Sequence, residues 1–425
     1  GSGISILLLL LSLFTYFIYS RQKLIEKSKK LAAICSAVAL SCIVNVGLSA
    51  LGLFYMPMAF TAYILVPLAD RRDVFVANIV ANLVVSVALM FESIMGTKID
   101  MLSVLVMMMT GICTGSIVAY AMSNTVKRVT FVLKGLCVGA VTMLLLFLSS
   151  LIVSSFDFVA IAGFLSISAF GPVLVGMLLQ PIFESIFNII TNTKLNELID
   201  NNAPLIKMLI NDALGTFNHS LAVASFAEVC ALRIGENPYL AKACAYYHDV
   251  GKTKNPTFFT ENQSGGVNPH KNLGYEQSAQ VVISHVTDGL KLAEKNNLPK
   301  VIKDFITTHH GRGKTKYFYI SWKNEHPGED PNEEAFTYPG PNPFTKETGI
   351  LMMADAVEAA SSSLPEYTEE SISNLVDKII DSQVAEGYFK ECPITFKDIA
   401  TVKNVFKEKL KTIYHTRISY PELKK

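Results

Sequence analysis

Tyr246-Tyr247-His248-Asp249-Val250-Gly251-Lys252 is the stretch on which the reading of this 425-residue chain turns. An adjacent His-Asp pair offers an imidazole nitrogen and a carboxylate that can bridge two cations. Gly251 lets the backbone turn away, and Lys252 puts a positive charge one turn from any metal-bound phosphate. Five further potential ligands surround the pair: His219 before it, and His285, His309, His310 and Asp355 after it. These seven residues read as one dinuclear metal centre. All 8 histidines lie from His219 onward, so whatever chemistry the chain performs belongs to its C-terminal half.

The ligands fall on helical patterns. Apolar periodicity predicts helices at about 216–234, 238–249, 275–296, 299–310, 344–362, 368–386 and 397–413, after a linker pair within 192–214 broken at Pro204. Alternating β-branched runs are nearly absent, and only 317–322 (Tyr-Phe-Tyr-Ile-Ser-Trp) reads as a short strand or hairpin. The class is therefore all-α. Each candidate ligand sits on a rigid element or its end, where a metal ligand has to be held. Asp355 is the most telling, because a carboxylate within the apolar Leu351-Met352-Met353-Ala354-Asp355-Ala356 run is costly to bury without a cation or partner. Taken singly, each residue has an ordinary explanation as a hydrogen-bonded core histidine, a helix cap or an ion pair. It is the ordered set that points to metal. His270 reads as a neighbour of the site rather than a ligand, and His326 and His415 as surface residues.

The first 187 residues are different. They carry 7 acidic and 11 basic residues, against 29 and 26 in the remainder, so the formal net charge of +1 hides an almost uncharged half. A 50 % hydrophobic content and a mean hydropathy of +0.36 exceed what an ordinary soluble chain shows. Apolar segments recur at 4–20, 31–53, 55–69, 74–93, 101–122, 130–153 and 158–187, and a membrane span needs about 20 such residues. The third is short and contains Pro57 and Pro67. Seven spans follow, apolar all round rather than amphipathic. One set of connections holds Arg21, Lys23, Lys27, Lys29, Lys30, Arg71, Arg72, Lys127 and Arg128, and the other only Lys98. The positive-inside rule then puts the N-terminus outside and the C-terminal half in the cytoplasm. Few ionisable groups lie within the spans, so this half reads as an anchor or sensor rather than a pump. Gly1-Ser2-Gly3 reads as a cloning scar, with an extracellular portion expected upstream. The 7 cysteines show no CxxC pair and read as packing residues. Neither half has the basic excess of a DNA or RNA binder.

The histidine and aspartate pattern resembles the HD superfamily of metal-dependent phosphohydrolases. With Glu261-Asn262-Gln263, Asn268-Pro269-His270, His309-His310-Gly311, Tyr338-Pro339-Gly340-Pro341 and Ala354-Asp355-Ala356-Val357-Glu358-Ala359-Ala360, it is similar to the bacterial seven-transmembrane HD family. The resemblance is specific over about 205–421 and extends to the spans by layout. It implies a polytopic helical membrane domain followed by a cytoplasmic all-α HD domain, with boundaries at 1–3, 4–187, 188–214 and 215–425. It also implies one metal on His219, His248, Asp249 and Asp355, and a second on Asp249, His285, His309 and His310. Two departures, Asn218 before His219 and Ala213-Leu214-Gly215-Thr216, touch no proposed ligand. The Gly-Tyr-Pro signature of cyclic di-GMP hydrolases is missing after His309-His310, where the chain reads Gly311-Arg312-Gly313-Lys314.

The expected activity is therefore second-messenger hydrolysis: cyclic di-AMP to linear 5′-pApA. Imidazole and carboxylate without thiolate suit two iron or manganese ions, zinc being less apt. Two ions bridged by Asp249 would share a water and make hydroxide available at neutral pH. His248, Asp249 and Lys252 are the expected catalytic residues, and Lys252, Asn262, Gln263 and Arg312 the expected substrate contacts. Expected partners are cyclic di-AMP, the lipid bilayer and a second copy of the chain. The competing readings are an HD phosphohydrolase acting on another cyclic dinucleotide, a nucleotide or an alarmone, and a nucleotide receptor without turnover.

Overall fold

The computed structural model describes residues 28–95, 99–153, 158–263 and 268–414, with positions 12, 15 and 16. It divides into two compact units, Gly1–Lys194 and Leu195–Lys425. Among the described residues there is no strand, only an isolated antiparallel bridge between Lys314 and Thr337.

In the first unit, α1 (Ser28–Ser49), α3 (Arg71–Ile94), α4 (Met101–Ala121), α5 (Arg128–Val153) and the Ser166–Phe187 part of α6 (Phe158–Phe187) are long and apolar enough to cross a membrane. The segment expected at 55–69 is not a full span. It forms a 3-10 turn at Leu53–Tyr55 and a six-residue helix, α2 (Phe60–Leu65), whose every residue is buried. The prolines at 57 and 67 bracket it and deny it the length to cross. The segment at 4–20, Gly1-Ser2-Gly3 and the connections at 21–27 and 98 lie outside the described residues, apart from the three isolated positions. Lipid offers no hydrophobic drive between helices, so close approach and polar clamps hold such a bundle. Here α3 supplies the clamp and α4 the space. Asn78 Nδ2 donates to the Gly111 carbonyl at 3.2 Å, and Asn82 Nδ2 to the Met58 carbonyl at 3.1 Å. A methyl group at Gly115 would lie 2.0 Å from Asn78 Nδ2, so only glycine fits there.

The second unit is built of α7 (Asn192–Leu198, entering from residue 195), α8 (Pro204–Asp212), α9 (Leu214–Ile234), α10 (Pro238–Tyr247), α11 (Tyr275–Lys295), α12 (Lys300–Thr308), α13 (Lys316–Glu325), α14 (Lys346–Ser361), α15 (Glu369–Ala385) and α16 (Phe396–Ile413). Helix α9 is its axis, packed against α10, α14 and α16. Val223, Ala227, Cys230 and Ala231 of α9 are wholly buried, and Phe226 meets Phe406 of α16 at 5.6 Å between ring centroids. Local signals start the helices cleanly. Asn237 caps α10 just before Pro238, and Thr345 forms a capping box with Thr348 at the head of α14. The 317–322 stretch is helical, not a strand. Phe318 and Trp322 lie one turn apart on α13 and pack beside Ala279, Ile283 and Phe336, a tertiary contact that outweighs aromatic strand preference.

Candidate metal centre

Five elements deliver the seven candidate ligands, and the chain's own backbone orients three of them. His248 follows α10 and donates Nδ1–H to the Ala245 carbonyl at 2.7 Å. His285 on α11 does the same to Val282 at 2.6 Å, and His309 after α12 to Ile306 at 2.8 Å. In each case the acceptor lies three residues earlier in the chain. A carbonyl can only accept, so a proton is fixed on Nδ1 and Nε2 faces the centre. His219 on α9 is held differently, with Nδ1 on the Glu358 carboxylate of α14.

Asp249 lies between two groups of donors. Its Oδ2 is 3.2 Å from His248 Nε2 and 3.6 Å from His219 Nε2. Its Oδ1 is 3.3 Å from His285 Nε2 and 3.5 Å from His309 Nε2. Asp355 joins the first group, 3.0 Å from His219 Nε2. His310 lies in the second group, and its Nδ1 is 3.6 Å from Asp355 Oδ2. Within each group, His219–His248–Asp249–Asp355 and Asp249–His285–His309–His310, every ligand atom lies within 4.8 Å of the others. These are the two sets the family resemblance implies, with Asp249 common to both.

The arrangement suits cations. His248 Nε2 and both Asp249 oxygens are buried without a hydrogen-bond partner. His285 Nε2 and His309 Nε2 stand 3.1 Å apart, with both Nδ1 protons already committed. Two lone pairs at that distance repel unless a proton or a metal ion stands between them. The donors are imidazole and carboxylate without thiolate, a set that takes iron, manganese or zinc.

The electrostatics agree. Burial opposes charge at His248, but Asp249 and Asp355 outweigh it and raise the imidazole to about 10. At His219 burial is again overcome, by Asp355 and Glu358, giving about 9. Burial would raise Asp249 and Asp355, yet their histidine neighbours, with Lys252 at Asp249, hold both well below the usual carboxylate range. His310 is pushed well down by burial and by the adjacent His309. Lys252 Nζ lies 2.7 Å from Asp249 Oδ2 and 2.9 Å from Glu261 Oε1. The first is an ion-pair contact without hydrogen-bond alignment, the second a hydrogen bond.

A cavity of about 710 Å³ opens over this centre, lined by His219, Lys252, His285, His310, Tyr338 and Asp355 among others. Asn262, Gln263 and Arg312 do not line it. Asn262 pins the start of α9 through the Thr216 amide and hydroxyl, Gln263 bonds the Thr257 carbonyl, and the Arg312 side chain is exposed. Asn218 does line it, whereas His270 instead donates Nε2–H to the Phe258 carbonyl and packs on Phe318. His326 stacks on Trp322, and His415 lies outside the described residues. Glu358 and Tyr338 belong to the centre without having been singled out as site residues. Tyr338 lies 4.2 Å from the His310 ring. Glu358 follows Asp355 by three positions, one turn along the same face of α14, which is the signal that could have found it.

Gly251 has a different purpose from the one its sequence suggests. A methyl group there would lie 1.9 Å from the His285 carbonyl oxygen and 2.5 Å from the Gly289 nitrogen. The residue permits backbone contact with α11 and needs no unusual turn.

Comparison with known proteins bears on both halves. Residues 1–191 match the family described as 7TM receptor with intracellular HD hydrolase, and residues 216–360 match the HD domain family. The cyclic-di-AMP phosphodiesterase PgpH of Listeria monocytogenes is 35 % identical over 373 residues, covering 87 % of this chain and 50 % of the relative. PgpH of Bacillus subtilis is 41 % identical over 247 residues, covering 58 % and 34 %. A crystal structure of the L. monocytogenes PgpH HD domain with cyclic-di-AMP is 40 % identical, covers 51 % of this chain and all of that one, and has a TM-score of 0.48. The chain spans half or less of the length of these curated relatives. The chain therefore carries, in this order, a region of the 7TM receptor family with intracellular HD hydrolase and an HD domain.

Proposed function

We propose that this chain is a membrane-held, metal-dependent phosphodiesterase that opens cyclic di-AMP to linear 5′-pApA. The observation that carries the proposal is the pair of complete donor groups sharing Asp249, in a chain similar to PgpH along most of its length. One metal would rest on His219, His248, Asp249 and Asp355, and the other on Asp249, His285, His309 and His310. Iron or manganese is the expected pair, and when bound it supplies Lewis acidity and acidifies water. The protein's own groups do the rest. Three backbone-anchored histidines and the Glu358-anchored His219 hold donors in place without reorganisation. Lys252, at the cavity wall, neutralises charge developing on the phosphate under attack. Tyr338 packs on the His310 ring and helps to fix its orientation at the cavity wall. The excess of Arg and Lys on one set of connections supports a cytoplasmic HD unit held by a bilayer anchor, with the N-terminus outside.

The test is hydrolysis of cyclic di-AMP and cyclic di-GMP side by side with added Mn²⁺, using wild type and the His248→Ala/Asp249→Ala double variant. Conversion of cyclic di-AMP to pApA, lost in the double variant, is the expected result. If wild type carries two metals and cleaves neither dinucleotide, the substrate assignment fails, and another nucleotide or an alarmone takes its place.

A further inference from the structure

Beyond Asp355, on the side away from His219, lies a second hollow. Helix α14 turns Met352, Asp355, Ala356 and Ala360 along one stripe, and α15 faces it with Ile379 and Gln383. Between them is a cavity of about 440 Å³, floored by aliphatic side chains and widened by the two alanines. His310, Tyr338 and Asp355 border both this hollow and the cavity over the metal centre, so a nucleotide whose phosphate sits at the centre has this space within reach of its base. Lys314 and Lys316 at its margin are each held by a glutamate, Glu333 and Glu386. Lys378 adds a positive charge to the lining, and what distinguishes one base from another is left to shape and hydrogen bonding.

Gln383 is a buried polar group of that interior, 9 % exposed. Its Nε2 donates to the Met352 carbonyl at 3.2 Å, which identifies the nitrogen and stops the amide from flipping. Its Oε1 is buried with no partner among the described residues. The amide thus carries an unused acceptor beside the hollow, which a donor on a bound molecule can meet once the wall shifts slightly. Adenine presents a donor at N6 beside an acceptor at N7, the complement of Oε1 and the second Nε2–H of a glutamine amide. Guanine presents O6 at that place, lone pair against lone pair.

We propose that this hollow takes one base of the dinucleotide and that Gln383 selects adenine over guanine there. The inference rests on the phosphodiesterase reading above, and the experiment separates the two. The full chain in detergent, loaded with Mn²⁺, is assayed on cyclic di-AMP, cyclic di-GMP, cyclic di-IMP and bis(p-nitrophenyl) phosphate. Cyclic di-IMP carries O6 without the guanine amino group, so wild type is expected to use it as poorly as cyclic di-GMP, about ten-fold below cyclic di-AMP in kcat/KM. Gln383→Met, of similar shape, is expected to reduce that preference to near unity, chiefly through KM for cyclic di-AMP. Ala360→Leu, which fills the hollow, is expected to raise the same KM. Wild type that takes cyclic di-IMP as readily as cyclic di-AMP overturns the proposal, whatever the variants do. So does an adenine preference unchanged in both variants. Wild type that splits only bis(p-nitrophenyl) phosphate overturns the substrate reading itself, and the base pocket with it.

Discussion

Replacing Gly251 by alanine tests whether backbone contact between the His248-Asp249 segment and α11 sets the geometry of the centre. The added carbon would sit 1.9 Å from the His285 carbonyl and 2.5 Å from the Gly289 nitrogen, both backbone atoms that no rotamer change can move aside. Restoring ordinary contact requires the two segments to part by about 1.5 Å, and about 1 Å of misplacement already costs on the order of 100-fold in rate. Asp249 is two residues from Gly251, and its Oδ1 faces His285 Nε2 at 3.3 Å, so the donors most disturbed are those of the second group. Metal–ligand distances tolerate only about 0.2 Å. The expected result is loss of about one bound metal per chain, read by elemental analysis after gel filtration, with kcat/KM for cyclic di-AMP about 100-fold lower. Overpacking of this kind costs about 1–3 kcal/mol, enough to lower the melting temperature by several degrees without unfolding the unit. A Gly251→Ala protein with two metals and turnover within three-fold of wild type would refute the reasoning.

Glu358→Ala removes the carboxylate that orients His219 and is expected to weaken Mn²⁺ binding 10- to 100-fold, seen as a shifted metal dependence of turnover, with Glu358→Gln closer to wild type. In the membrane unit, Gly115→Ala should lower the melting temperature in detergent, because its methyl would meet Asn78 at 2.0 Å. Adding Asn78→Ala should recover part of that loss, and additive effects in the double variant would argue against the clamp. Glu386 gives an acid-side prediction. Burial opposes its charge, but hydrogen bonds from Lys316, Ser382 and Tyr388 prevail and bring it down to about 2 from an ordinary 4.5. A depressed carboxylate stabilises fully above its unfolded value and loses that contribution as pH falls through its folded one. Melting of Glu386→Gln should therefore depend less on pH between about 4.5 and 2 than wild type does.

Much of this organisation was legible because two periodicities are unambiguous. Runs apolar on every side mark a membrane unit, and amphipathic stretches bounded by Asn237-Pro238 or Thr345 mark soluble helices. Local pattern misled where a tertiary partner decided the outcome. Residues 317–322 have the composition of a strand but lie against Ile283 and Phe336 as a helix. The 55–69 segment is apolar like its neighbours but has no room to cross between its prolines. At the centre, the seven residues that cluster could be read from residue type and order. What stayed hidden was orientation: the Nδ1 anchors depend on helix geometry, Glu358 bonds His219, and Asn262 bonds Thr216 at the start of α9. None of these leaves a compositional trace.

The position of Lys252 carries a consequence for regulation. Its ammonium lies within reach of Asp249 on one side and Glu261 on the other, so the metal-free centre has an internal counterion and need not collapse. A divalent ion held by Asp249 would compete with that ammonium, which already has Glu261 as a second partner. Arming the site and freeing a cation for the incoming phosphate thus become one exchange. On the metal-dependent reading proposed above, such a chain would stay folded but idle when the ion is scarce, its output tied to the supply of that ion.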